Sequence, residues 1–365
     1  MADLGRPHRP ERASESRLDA LREEARRTGG VLGASGPVAG GPIPLGGRDG
    51  ARPVALGGGN GRPPGYYGRP IVKPPVWTWE IPLYFFVGGL AGMASVLALA
   101  ATLADVDAAL EGTGGMAGLI RAARWLAAAG AAVSPILLTL DLGRPTRFLN
   151  MLRVFKARSP MSVGAWLLVA FGGAAWTAAL VPWAVDRWGT GPLPVAAWEA
   201  IVLAATAAAA LFGALLATYT GVLIGATAIP AWFAHRRGLP FHFGIAGLGS
   251  AAAALELLGF PAPPLHALGL GAAAAETAFG AWIELRRHGA VDRAVRQGPA
   301  GLMLRGAGLL AGPLALVLRL VGLVPWAAAS FLAGALLGRY GWLAAGRASG
   351  RDPEATLAAG RTFSR

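Results

Sequence analysis

Eight apolar runs follow one another between residues 80 and 345, each near the roughly 20 residues a helix needs to cross about 30 Å of hydrocarbon. They fall at about 80–104, 117–140, 162–185, 196–224, 241–261, 264–286, 302–322 and 325–345. A backbone inside lipid must satisfy its hydrogen bonds internally, and a helix does so within one segment. The expected fold class is therefore an all-α membrane protein with eight transmembrane helices. Composition agrees: 54% of the 365 residues are hydrophobic and the mean hydropathy is +0.48, too apolar for an ordinary soluble surface.

Charge sets the orientation. The formal charge of +13 does not point to nucleic acid, because the basic residues lie in a tail and in short loops between apolar runs. With eight crossings, the second, fourth and sixth loops share a side with both termini. Those loops carry Arg144, Arg147, Arg153, Lys156, Arg158, Arg236, Arg237, Arg286, Arg287, Arg293 and Arg296. The opposite side has only Arg121, Arg124, Arg187 and Arg319, with Asp105, Asp107, Glu111 and Asp186. Basic loops stay in the cytoplasm, so the expectation is a multi-pass plasma-membrane protein with both termini cytoplasmic.

Residues 1–75 are rich in Gly, Pro and Arg and too poor in apolar side chains to fold alone, so they are expected to form a disordered cytoplasmic tail. Arg26 and Arg27 are followed by a glycine-rich stretch, not the apolar core of an export signal, and no cleaved targeting peptide is expected. The membrane domain then covers 76–346, and 347–365 forms a C-terminal cytoplasmic tail. There are no cysteines, which excludes disulfides, thiolate zinc sites and iron–sulfur clusters ligated by this chain. Any metal cluster must belong to a partner.

Small residues are expected to bring the helices together, since lipid offers no hydrophobic drive for association. Candidates are Gly88, Gly89 and Gly92, Gly172 and Gly173, and the alanine runs at 205–210 and 272–275. Trp77, Trp79, Trp183, Trp198, Trp232 and Trp326 fall at helix ends, as an interfacial belt requires. Arg305 and Arg319 lie near the two ends of the seventh run and are expected to snorkel.

Ionisable groups within hydrocarbon need a reason. Glu80 and, one turn on, Tyr84 open the first helix on the cytoplasmic side, where Asp141 and Arg144 close the second and Tyr219 lies shortly before the end of the fourth. These groups share one depth and suit a quinone headgroup: Glu80 and Asp141 carrying protons, Tyr84 and Tyr219 donating hydrogen bonds, Arg144 stabilising negative charge there or on Asp141. A plainer account makes the tyrosines interface anchors, Glu80 a complement to the helix dipole, and Asp141 with Arg144 a structural ion pair. Glu276, Glu256 and Glu284 form a second candidate set, either a proton path across the bilayer or a structural donor and surface charges. His242 and His266 open the fifth and sixth helices from opposite sides, too far apart to ligate one haem. Electrons would then come directly from a docked partner.

Three stretches carry a resemblance: TWEIPLYFFVGGLAGM at 78–93, DLGRPTRF at 141–148 with SPMSVGAW at 159–166, and RYGWLAAGRASGRDPEAT at 339–356. In these the chain resembles the NrfD family of polysulfide-reductase-type membrane subunits over about 76–356. The resemblance implies an eight-helix subunit of two four-helix bundles that anchors a ferredoxin-like iron–sulfur subunit and a molybdopterin catalytic subunit. It further implies electron exchange with menaquinone or ubiquinone without haem, through a pocket at positions matching Glu80, Tyr84 and Tyr219. Some members have an amide and a histidine at the first two of these, and some have proline at the position of Thr220.

The expected function is thus a haem-free, quinone-binding anchor of a multisubunit oxidoreductase, with Arg147, Arg153, Lys156 and Arg158 on the face where the iron–sulfur partner docks. The rivals are a secondary transporter or proton-translocating protein without its own redox role, and an inert anchor. A transporter calls for broken helices in corresponding positions of two halves and polar groups at the midplane.

Overall fold

The computed structural model describes residues 70–110, 116–142, 147–286 and 289–363. The expected disordered tail lies outside the described residues up to residue 69. Among the described residues the fold is all-α, without strands. The long helices are α1 (Glu80–Leu110), α2 (Ala117–Asp141), α3 (Pro160–Trp188), α4 (Val195–Gly225), α5 (Leu239–Leu257), α6 (Pro263–Leu285), α7 (Gly298–Leu320), α8 (Val324–Arg351) and α9 (Pro353–Phe363). Each of the eight apolar runs is helical. By length and apolarity, Glu80–Asp105 within α1, all of α2, α3 and α4, and α7 are able to cross a membrane. The other long helices of the apolar series, α5, α6 and α8, fall short of that measure, and they include His242, Glu276 and Arg339.

Local chemistry sets the ends. Ser159 accepts the Ser162 amide at 3.5 Å and is followed by Pro160, so α3 starts with a capped turn and a residue that needs no amide partner. At the other end of α3, Gly189 has φ 83° and lets the chain leave in a left-handed conformation. α4 stops at Gly225, and Pro230–Ala234 forms a separate turn. The seventh run is interrupted: Leu310–Leu314 is a π turn in which Gly312 leaves helical geometry just before Pro313. The expected C-terminal tail, 347–365, is helical through Phe363, being the end of α8 and then α9.

Helices α1 to α4 form one bundle, in which α1 packs on α2 and α4, and α3 packs on α2 and α4. In the second, α5 lies against α6 and α8, and α7 against α6 and α8. Contacts of α1 with α5 and α8, and of α4 with α5, join them. Glycine permits the closest approach, as expected for Gly92: a Cβ there would run into the Gly213 carbonyl of α4. Gly173 plays no such part, since nothing lies within 4 Å of a Cβ added to it.

Two sequence expectations need correction. Trp232 is no belt residue: it is 1% exposed, stacks on Trp77 at 5.6 Å and donates its indole N–H to the Trp342 carbonyl at 2.7 Å. Arg319 does not snorkel. It turns inward and grips Glu256 with two hydrogen bonds of 2.8 and 2.6 Å, both side chains buried. The guanidinium lies over Gly269 of α6, where any side chain would collide with it. In both cases a neighbouring helix offers a better partner than the headgroup layer.

Candidate functional site

Ahead of α1 the chain has no regular structure over 73–78 and delivers Thr78 to the end of α2. The Thr78 amide and hydroxyl both approach Asp141 Oδ1, at 3.1 and 3.0 Å. The same hydroxyl touches Glu80. Glu80 and Asp141, far apart in sequence, therefore meet through one threonine. A hydroxyl has a single hydrogen and cannot donate to two carboxylates at once, so the trio has room for one exchangeable proton. The same segment is also fixed to α8: Tyr340 donates to the Trp79 carbonyl at 2.9 Å, and Arg347 donates to that of Trp77.

One turn below Glu80, Tyr84 is buried. Its ring, Ser134 Oγ of α2 and Leu216 of α4 meet around Gly88, within 3.6, 3.5 and 3.9 Å of where a Cβ would stand. Tyr84 makes no hydrogen bond with another described residue, and the buried Ser134 hydroxyl also lacks a partner. A buried hydroxyl without a partner, such as that of Ser134, is costly unless something else binds it. Tyr219 is different. Its ring lies on Gly164, and its hydroxyl donates to the Pro160 carbonyl at the start of α3.

This gives the SPMSVGAW stretch a physical reading. Ser159 caps, Pro160 receives Tyr219, Gly164 makes room for the ring, and Ser162 ties down the preceding loop. Ser162 Oγ accepts the Lys156 amide at 3.0 Å and donates to the Val154 carbonyl at 3.3 Å. Arg153, Lys156 and Arg158 on that loop are exposed. Arg147 begins the turn Arg147–Leu152, whereas Arg144 lies outside the described residues.

The second candidate set does not converge. Glu256 is held by Arg319, and Glu284 pairs with Arg305 at 3.0 Å on the surface. Glu276 is buried and meets His242 Nδ1 at 3.2 Å. The His242 ring stacks on Phe279 at 4.2 Å. Arg339 of α8, also buried, lies 3.6 Å over the Phe243 ring and donates to the Phe243 carbonyl at 2.9 Å. His242 and Glu276 line a narrow cavity of about 40 Å³, enough for about one water. His242 and Arg339 were missed in the sequence. A usable signal existed for His242, because it and Glu276 are nearly equidistant from the α5–α6 turn and so share a depth.

At the same end, Arg293 binds Asp352 at 3.1 Å and Glu354 at 2.8 Å. Those carboxylates, Glu354 first, raise its pKa. They attach the loop before α7 to the start of α9. The termini of α1, α2 and α8 and the basic loops thus gather on one face.

No curated protein matches the sequence. The family model for polysulphide reductase, NrfD, matches residues 71–261, from the segment before α1 to the turn after α5. The third stretch of resemblance, 339–356, lies beyond that match. With more than half of its length covered, including the Glu80–Thr78–Asp141 cluster, Tyr84 and Tyr219, the chain belongs to the NrfD family.

Proposed function

We propose that this chain is the quinone-reactive membrane subunit of a multisubunit oxidoreductase, passing electrons between a docked iron–sulfur subunit and menaquinone or ubiquinone, with a molybdopterin catalytic subunit beyond. The observation that carries this reading is the unpartnered buried hydroxyl of Ser134 beside the buried Tyr84 ring, one turn below two carboxylates that share a threonine. This set fits a carbonyl-bearing ring: neutral donors at depth and proton carriers at the rim. A bound quinone supplies two-electron, two-proton redox chemistry that none of these side chains has. Tyr84 orients the headgroup, while Glu80 and Asp141 exchange protons with water through Thr78. Tyr219 fixes the start of α3 and with it the wall of the site. Arg144, next to Asp141 in sequence, is assigned to balance its charge. The exposed Arg153, Lys156 and Arg158, together with Arg147, form the docking surface for the iron–sulfur partner. Both termini are assigned to the cytoplasm, since the gathered basic face obeys the charge rule for loops.

The test is quinone turnover by the assembled complex. Tyr84→Phe and Glu80→Gln are each expected to lower it by about tenfold to a hundredfold while leaving the complex assembled. Unchanged turnover in both would remove the site.

A second activity of the α5–α8 bundle is favoured by the Glu276–His242 pair and its water-sized cavity: proton movement coupled to the redox reaction. Of the three glutamates, only Glu276 has a titratable neighbour in place of an arginine clamp. Glu276→Gln is expected to abolish proton release by vesicle-reconstituted complex and to spare electron transfer. A secondary transporter is disfavoured, because α7 is broken at Gly312 while α3, its counterpart in the first half, is continuous.

A further inference from the structure

At the end of the first bundle opposite Glu80, a cavity of about 260 Å³ opens between the end of α1, the first turns of α2 and the last turns of α3. Its charged lining is Asp105, Arg121, Arg124 and Asp186, and Trp125 and Trp183 form part of its wall. None of the proposed redox or proton steps uses these residues.

The charges share a cavity, yet the two arginines do not close on the acids. Arg121 and Asp186 make no hydrogen bond or ion pair with another described residue. Arg124 spends one Nη on Thr102 Oγ1 at 3.2 Å, and its buried Nε–H has no acceptor. Asp105 accepts the Met116 amide at 2.8 Å. A guanidinium half withdrawn from water with an orphaned N–H is costly unless an oxygen reaches it from elsewhere. Opposite charges held apart across a cavity favour a ligand that carries both signs.

We propose that this cavity binds the headgroup of a zwitterionic phospholipid, phosphatidylethanolamine. The phosphate lies between Arg121 and Arg124, where guanidinium forks bind phosphate oxygens with directed hydrogen bonds. The ammonium lies against Asp186 and the face of Trp183. A lipid, and not a free solute, is the source because exposed apolar side chains adjoin the charged lining: Leu180, Trp183 and Trp188 on α3 and Leu103 on α1. Those positions suit acyl chains and the tryptophan-rich interface layer. A purely anionic headgroup would satisfy the arginines and leave Asp186 without a cation.

The experiment is native mass spectrometry of the full-length chain, released from a bilayer of equal phosphatidylethanolamine and phosphatidylglycerol. The wild type is expected to retain phosphatidylethanolamine, and Arg121→Ala with Arg124→Gln to lose that adduct. Asp186→Asn alters an exposed residue that has no partner among the described residues, so it tests the idea even if the arginine pair is needed for folding. It is expected to keep a lipid but to lower the preference for phosphatidylethanolamine by about tenfold, the worth of one charge-assisted hydrogen bond. Equal retention of both lipids by the wild type, or an unchanged preference in Asp186→Asn, would overturn the proposal. Displacement of the adduct by soluble phosphoethanolamine would overturn the lipid assignment.

Discussion

The two bundles place charge in opposite ways. Among the described residues of α1 to α4, the buried polar side chains are neutral, namely Ser95, Ser134, Ser162, Thr206 and Thr220, with Tyr84 and Tyr219 among the buried aromatics. The carboxylates of that half stay at its rim, Glu80 and Asp141 at one end, Asp105, Asp186 and Glu199 at the other. In α5 to α8, Glu276, Arg319 and Arg339 are buried in the interior. The first half can accept a neutral ring without disturbing any interior charge. The second holds buried charges set against one another or against aromatic rings, Glu256 with Arg319, Glu276 with His242 and Arg339 over Phe243.

Breaking the interior pair should have the largest effect. Arg319→Ala leaves Glu256 buried and unpaired, and is expected to cost about 3–5 kcal/mol in thermal unfolding followed in detergent. The double change Glu256→Leu and Arg319→Leu should recover most of that loss, because two apolar side chains replace a matched pair. Tolerance of Arg319→Ala alone would mean that the second half does not depend on balanced charge. In the first half, where backbones and not charges meet, Gly92→Ala is expected to cost about 1–3 kcal/mol by pushing α1 from α4. The smallest effect should come from Gly173→Ala, on an open part of α3. A gain of up to about 1 kcal/mol is expected from the better helix former, read as a higher unfolding temperature. A loss there would reveal a neighbour at Gly173 that the packing described above does not include.

Much of this was legible in the sequence, for definable reasons. Hydropathy reports depth, so the eight runs and the shared level of Glu80, Tyr84 and Asp141 could be read directly. It does not report direction around a helix. Arg319 and Trp232 were therefore assigned to the interface although each turns inward to a partner on another helix, Glu256 in one case and the Trp342 carbonyl in the other. Gly172 and Gly173 look alike in sequence to the glycines of α1, but only their position relative to the neighbouring helices decides whether they are used. The break in α7 was written in Gly312-Pro313 and was hidden by the apolar residues around it. The bond that occupies the Tyr219 hydroxyl depends on where α3 begins, which hydropathy does not report.

The segment before α1 is fastened to Asp141 on one half and to Tyr340 and Arg347 on the other. It works as a stitch across the seam. The two halves cannot swing apart at this face without tearing it, so a protein that presses here meets a single stiff plate. Whatever strain arrives at one margin of that plate is felt at the other.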